Sequence, residues 1–506
     1  MYLSNKHPDI KPIFIVLIVL LAGFLVFSGS YGPSIENNDN FFYIYYTHIA
    51  LTLGSYYFPY SNALTSNYFQ IFGMGLVDIL LKKILLSSVA FEFIMLCMTI
   101  IVIYLIGKRL FGNLGGLLSA FAYTISPLVL IETKTVGDVI PVTFFISLAM
   151  LLYLLHSDKK HGAVYLLLSG FVATAGMLVV YLSLLILPAI LILILAEHIF
   201  IRKERSFIAF TKDVSLFTCG VLLGITALVF VSYASIGRIS EPFAIFIGYF
   251  SQLKTPPVYN PFIMYLSWLF GQYSFNGIYG PIMANYLLAT TLLTIAFGFY
   301  LFKKALIPAG WIFSALVLLP AITSSETIVP LERYIVVFIP AMSLIIGGGI
   351  AKLATSNKSN LLNKRYLLNP IMKVATILII LIYSLISAHA IVQAENVSGV
   401  SYFNFMKAYK STANGNSTLY ALADQAVAFQ VYTNFSSNVQ ILLNISCGGI
   451  MHIANGSYVA IPTNYNITCG MPIVYYPNKN RLVEEYGTRV GNGIYGKLVY
   501  IIKIVK

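Results

Sequence analysis

Charge is what this 506-residue chain has least of: Asp, Glu, Lys and Arg make up 10% of it, against 58% hydrophobic residues. With a mean hydropathy of +0.83, that balance is far too apolar for a soluble domain of any shape. The motifs of soluble enzymes are missing as well. There is no P-loop, no HExxH, no paired CxxC and no convincing GxGxxG. The "GGG" at Gly347 to Gly349 falls inside an apolar run, where it reads as helix packing rather than phosphate binding. No internal repeat is apparent, which weakens a transporter reading, since many transporter folds carry a duplicated half.

What is present is a succession of apolar runs. A helix needs about 20 such residues to cross roughly 30 Å of hydrocarbon, and the chain supplies about eleven of them. They cover approximately 13–29, 88–107, 114–131, 139–156, 163–180, 182–199, 214–236, 282–302, 305–322, 334–351 and 371–390. The expected fold class is therefore a polytopic α-helical membrane protein. The first run follows Lys6 and Lys11 and could end in a cleavage site at "FSGS"; its apolar core is longer than a usual signal, so an uncleaved anchor is preferred.

Basic residues set the expected orientation. Alternate connections carry Lys108 and Arg109, then Lys159 and Lys160, then Arg202, Lys203, Arg205 and Lys212, then Lys303 and Lys304, and finally the segment from Lys352 to Lys373. The positive-inside rule makes these cytoplasmic, with a cytoplasmic N-terminus. The net charge of +13 is largely explained this way, without a nucleic-acid partner. Two further apolar stretches, 69–86 and 262–275, would invert the later flanks if either one crossed. The first, with Asp78 and Lys82 one turn apart, fits an amphipathic helix in the outer interface; the second, with Trp268 and several Tyr, fits an interfacial belt. Residues 31–87 and 237–281 then form two large outer loops.

Composition changes at about residue 391. Residues 391–506 hold glycosylation triplets at Asn396, Asn416, Asn434, Asn444, Asn455 and Asn466, where chance gives roughly two. That places the tail outside, in keeping with an odd number of spans. Cys447 and Cys469 share this tail, and an oxidising compartment favours a disulfide between them, with a metal or two free thiols left open. Cys97 and Cys219 fall in spans as small apolar side chains. Segments such as "STLYALA", "NVQILL", "SYVAIPT", "MPIVYY" and "GKLVYIIKIV" read as strands and "DQAVAFQVYTNF" as a helix, giving a small α/β domain.

The remaining ionisable residues cluster at helix ends on the expected outer side: Glu36 and Asp39; Glu132, Lys134 and Asp138; Arg238 and Glu241; Glu326, Glu332 and Arg333. Their convergence would make a polar cavity in which carboxylates act as bases or metal ligands and cations clamp phosphate. A divalent metal ion is one possible occupant, and the sequence names none. Each residue also has an ordinary reading. Asp39 could be a solvated loop acid, Asp138 an N-cap, and Arg333 a headgroup anchor. His48 reads first as a satisfied interfacial histidine, Glu92 as a snorkelling side chain near a span end, and the Tyr-rich run after Asp39 as interfacial packing.

The order "ENNDNFFYIYYTHIALTLGSYYFP", "YLIGKRLFGNLGGLLSAFAYTISP", "ETKTVGDVIPVTFFISLAMLLYLL" and "LERYIVVFIPAMSLI" resembles the GT-C superfamily of polytopic glycosyltransferases, particularly the branch of protein O-mannosyltransferases and aminoarabinose transferases. The resemblance covers roughly residues 10 to 350. It rests on Asp39 in the first outer loop, the turn from Gly107 to Gly112, Asp138 entering the fourth span, and Arg333 with Tyr334 and Pro340. Many relatives follow the loop acid with Glu; this chain has Asn40 there, so Glu36 either substitutes or the pair is absent.

The resemblance implies inverting transfer of a sugar from a polyprenyl phosphate to a hydroxyl on a protein, glycan or lipid acceptor. The hydroxyl must lose a proton, for which Asp39 and Asp138 are the candidates, and the departing phosphate needs cations, for which Arg333, Lys134 and Arg238 are the candidates. Glu36, Tyr334 and His48 are supporting. Two alternatives remain: an oligosaccharyltransferase of the same superfamily and a lipid or polysaccharide transporter. The first expects a WWDYG signature in the external domain, yet the two tryptophans, Trp268 and Trp311, precede it. The second expects charges near the bilayer midplane rather than at helix ends.

Overall fold

The computed structural model describes residues 13–28, 38–53, 68–156, 162–201, 207–236, 261–272, 280–323, 332–355, 368–397, 417–422, 430, 438–442, 457–462, 473–475, 483–486 and 497–504. Among the described residues, fifteen α-helices precede a small sheet. In chain order they are α1 (Ile13–Phe27), α2 (Asn38–Leu53), α3 (Tyr68–Leu81), α4 (Ile84–Phe111), α5 (Asn113–Thr124), α6 (Pro127–Thr135), α7 (Val139–His156), α8 (Gly162–Ala175), α9 (Ile186–Ala196) and α10 (Phe207–Ile236). Then come α11 (Pro261–Leu269), α12 (Gly280–Leu301), α13 (Leu306–Thr323), α14 (Ile339–Thr355) and α15 (Leu368–Val397).

The protein is a multi-pass helical membrane protein. Among the described residues, seven helices are long and apolar enough to cross a bilayer, or eight if α5 and α6 form one bent span. The other three expected runs lie on shorter apolar helices, Ile13–Phe27, Gly162–Leu178 and Leu306–Leu319. At 1.5 Å per residue the first of these is about 22 Å long, short of a full hydrocarbon thickness. The expected span 114–131 is broken rather than straight, with α5 and α6 meeting at 56°. Pro127 explains the break: it opens α6, and Ser126 before it is extended at φ −66° and ψ 120°, the conformation that a following proline imposes.

Lipid tails are as apolar as leucine, so close packing rather than hydrophobic sorting holds such a bundle together. Residues 339–351 of α14 are all buried, and the glycines at 347–349 are the reason they can be. A Cβ on Gly347 would strike the Ser119 backbone of α5, one on Gly348 would meet the Phe111 ring at 2.6 Å, and one on Gly349 would strike the Phe297 ring of α12. The expectation of helix packing for this triplet is met.

Helices α2 and α3 lie between the first span and α4. On α3, Phe72, Leu76, Ile79 and Leu80 are exposed while Gln70, Ile71, Met74 and Gly75 are buried. The exposed set follows i, i+4, i+7, i+8, one apolar stripe along the helix. Lys82 ends the helix in the left-handed region at φ 52°, and Asp78 Oδ1 accepts from the Ser87 hydroxyl at 2.8 Å instead of pairing along the helix with Lys82. The aromatics expected at the interface are packed against protein. Tyr43 and Tyr46 of α2 are 3% and 0% exposed, and Trp268 of α11 is 1% exposed, edge-on to Tyr265 at 5.2 Å. They fill the space where short helices meet the bundle.

The sheet comprises β1 (Leu419–Leu422), β2 (Val439–Leu442), β3 (Tyr458–Pro462), β4 (Ile473–Tyr475), β5 (Val483–Tyr486) and β6 (Lys497–Ile504). Its order is β2-β1-β3-β6-β4, with β5 also on β6. β1 runs parallel to β2 and β3, and β6 is antiparallel to β3, β4 and β5. All five expected strand segments form strands. β5 escaped notice because Glu484 and Glu485 interrupt any apolar pattern. The helix expected over 424–435 lies outside the described residues except for Gln430.

Gly347→Val should lower the melting temperature of the purified protein in detergent by several degrees, because its side chain has nowhere to go. Gly298→Ala, whose Cβ meets nothing within 4 Å, should leave it unchanged or slightly raised. Differential scanning fluorimetry on both variants checks the pair.

Candidate active site

The turn between α6 and α7 gathers the polar residues. Helix α6 ends on Val136 in the left-handed conformation, φ 64° and ψ 49°, a position that β-branched side chains rarely occupy. Gly137 follows; its N–H reaches the Glu132 carbonyl at 3.4 Å, and a Cβ there would lie 2.5 Å from Glu132 Oε2. Asp138 then occupies the N-cap position of α7, its carbonyl accepting from the Val142 N–H at 3.3 Å. The capping position and a buried carboxylate coincide in one residue, which is only 2% exposed.

Around Asp138 the structure assembles side chains from distant parts of the chain. The Tyr43 hydroxyl of α2 donates to Asp138 Oδ2 at 3.5 Å. Arg333 Nη1 lies 4.0 Å from Asp138 Oδ1. Arg333 also sits over the Tyr334 ring, 5.2 Å from its centroid, and its Nη2 reaches the Tyr334 hydroxyl at 3.5 Å. Both come from the 3-10 stretch Glu332–Phe338 leading into α14, and they are 7% and 2% exposed. Glu132 is within electrostatic range of both Arg333 and Asp138. Lys134, 8% exposed, donates from Nζ to the Ser28 carbonyl at 3.0 Å, tying α6 to the end of α1.

The expected site residues therefore divide. Asp138, Arg333 and Tyr334 are brought together, with Lys134 on the adjoining helix. Asp39 lies in the first turn of α2, four residues before Tyr43, and that spacing puts the two positions on one helical face. His48 lies elsewhere. It is five residues beyond Tyr43, on another face of α2, and its imidazole is held below its ordinary pKa by burial, with nearby Asp78 acting in the opposite direction. Glu36, Arg238, Cys447, Cys469 and the triplets at Asn416, Asn434, Asn444, Asn455 and Asn466 lie outside the described residues, while Asn396 is in the last turn of α15. Among the described residues, no group of three or more His, Cys, Asp or Glu side chains could hold a metal ion.

Glu92 corrects an expectation. It does not snorkel: it is 0% exposed, its Oε1 accepts from Gln70 Nε2 at 3.0 Å, and it lies within electrostatic range of Asp138 and Glu132. A lone acid inside an apolar run is a signal for function in its own right, and that signal pointed to Glu92. Gln70 carried no comparable mark. A second buried polar group sits at the far end of α7, about 26 Å along the helix from Asp138: Asp213 Oδ2 accepts from His198 Nε2 at 2.9 Å and lies 3.3 Å from His156 Nε2. It joins α7, the end of α9 and α10.

Comparison with known proteins follows this geometry. Residues 61–231 match the family model described as dolichyl-phosphate-mannose-protein mannosyltransferase. No curated protein sequence matches the chain. Among solved structures, ArnT from Cupriavidus metallidurans bound to undecaprenyl phosphate aligns with a TM-score of 0.64 at 12% identity, over 96% of this chain and 98% of that one. Its apo state aligns at 0.65 and 10% identity, over 96% and 97%. The archaeal oligosaccharyltransferase AglB from Archaeoglobus fulgidus aligns at 0.45 and 12% identity, over 84% of this chain and 64% of that one. The chain shares its fold with ArnT over 96% of its length, and over residues 61–231 it is similar to the dolichyl-phosphate-mannose-protein mannosyltransferases.

Proposed function

We propose that this protein transfers a sugar from a polyprenyl-phosphate donor to an acceptor hydroxyl, with inversion, at the external face of the membrane. The observation that carries the reading is the buried meeting of Asp138, Tyr43 and Arg333 at one end of the bundle, on a fold shared with a protein bound to undecaprenyl phosphate. The prenyl chain stays among the lipids while its phosphate and sugar enter the recess. The acceptor oxygen attacks the anomeric carbon as the bond to the phosphate breaks, and the hydroxyl proton passes to a carboxylate.

Asp39 is assigned as that base, with Asp138 orienting the approach of sugar and acceptor. The leaving phosphate requires cations rather than an acid, and Arg333 is assigned to it, supported by Lys134 and Arg238. A planar guanidinium suits this task because it offers two parallel donors to a phosphate. Residues 1–390 form the transferase body and 391–506 an external domain, glycosylated and closed by a Cys447–Cys469 disulfide.

Purified protein given polyprenyl phosphates with different sugars should transfer at least one of them. Asp39→Asn should bind the same donor and lose transfer by at least a hundredfold; full turnover in that variant removes Asp39 from the mechanism. Arg333→Gln should lower kcat/KM for the donor by about a hundredfold, with Arg333→Lys recovering only part of the loss. Equal kcat/KM in all three forms would take the phosphate role away from Arg333.

A further inference from the structure

Gln70 is a fully buried side chain that binds the backbone of the Asp138 turn. It is 0% exposed on α3. Its Nε2 is 3.0 Å from Glu92 Oε1 and 3.0 Å from the Gly137 carbonyl, with the Val136 carbonyl at 3.5 Å. A carboxamide has two N–H donors, and the two short contacts use both. The orientation of the amide is fixed by its neighbours: turned over, its oxygen would face a carboxylate and a carbonyl at once. Gln70 Oε1 has no hydrogen bond among the described residues, so the side chain is present for what its nitrogen holds.

What it holds is the peptide plane next to Asp138. The Gly137 carbonyl belongs to the planar unit that carries the Asp138 nitrogen, so fixing that oxygen fixes the direction in which the Asp138 Cα leaves the turn. The turn needs such a tie, because Val136 is left-handed and Gly137 is the least restricted residue type. The α2–α3 pair thus touches the turn twice. Tyr43 reaches the Asp138 carboxylate, and Gln70 reaches the peptide before it. The two helices are themselves joined, since the Thr47 hydroxyl reaches the Ile71 carbonyl at 3.5 Å and Gly75 packs beside Leu51 and Thr47.

We propose that Gln70 is a positioning residue for sugar transfer: held by Glu92, its amide fixes the Gly137–Asp138 peptide and keeps the Asp138 carboxylate in register with the helix that carries Asp39. The inference rests on the transferase reading above and adds a residue to it that contacts neither donor nor acceptor. A buried glutamine that only satisfied Glu92 would affect stability and leave turnover alone. A positioning residue affects turnover separately from stability, and the two contacts of one nitrogen can be pulled apart.

The experiment compares the full-length wild type with Gln70→Leu and with the exchanged pair Gln70→Glu/Glu92→Gln, reading kcat, donor KM, melting temperature and hydrogen–deuterium exchange across 136–142. Gln70→Leu should lower kcat by about tenfold to a hundredfold, the scale of a small misplacement at a reacting centre, with donor KM unchanged and exchange in the turn faster. The exchanged pair re-forms a hydrogen bond between 70 and 92 but leaves residue 70 without an N–H for Gly137. It should regain only part of the melting temperature, because an oxygen now faces the Gly137 carbonyl, and none of the turnover. Recovery of both by the exchanged pair, or wild-type exchange across 136–142 in Gln70→Leu, overturns the proposal. Absence of transfer by the wild type from every polyprenyl-phosphate sugar overturns the transferase reading instead, a result distinct from an active wild type with an equally active Gln70→Leu.

Discussion

Ionisable side chains can be enclosed in an apolar helix bundle only when they compensate one another, and the turn at 136–138 is where this chain meets that constraint. Asp138 and Arg333 are both almost fully enclosed and 4.0 Å apart. At an effective dielectric of 20 such a pair attracts by about 4 kcal/mol, while desolvating each ion costs several kcal/mol. The attraction offsets the cost of burial without exceeding it. The arrangement is therefore poor as a stabiliser and well suited to a site that receives another charged group.

The architecture around the turn follows from that requirement. The proline-induced break between α5 and α6 shortens a would-be span and places Glu132 and Lys134 in the last turns of α6, next to the turn that carries Asp138. The glycines of α14 let that helix run through the centre of the bundle, which delivers Arg333 and Tyr334 to the same place from the 3-10 stretch just before it. Helices α2 and α3, too short to span, reach the turn through Tyr43 and Gln70. The polar residues come from five separate stretches of chain, yet every one of them sits at a helix end or on a helix too short to cross the membrane, apart from Glu92.

Periodic features were legible without coordinates. The apolar runs and five of the six strands lie where hydrophobicity placed them, and Asp138 caps a helix as its residue type suggests. The departures have a common physical origin. Whether an aromatic such as Tyr46 or Trp268 meets lipid or protein depends on what packs beside it, and a tyrosine-rich run looks alike in both settings. Glu92 faces Gln70 inside the bundle for the same reason, since depth along a helix is readable from sequence and the direction a residue faces within the bundle is not. The bend at Pro127 was signalled by the proline itself, but an uninterrupted apolar run concealed it.

The sequence by itself determined that this is a many-helix membrane protein with a strand-rich tail, because membrane insertion and strand formation follow from local hydrophobicity and its period. It also supplied the acids and cations at helix ends. Only the tertiary structure decided which of them meet: Asp138 with Tyr43 and Arg333, and Gln70 with Glu92 and Gly137. Those meetings span separations of up to 195 residues, between 138 and 333, and no local pattern encodes a contact that arises only when helices pack.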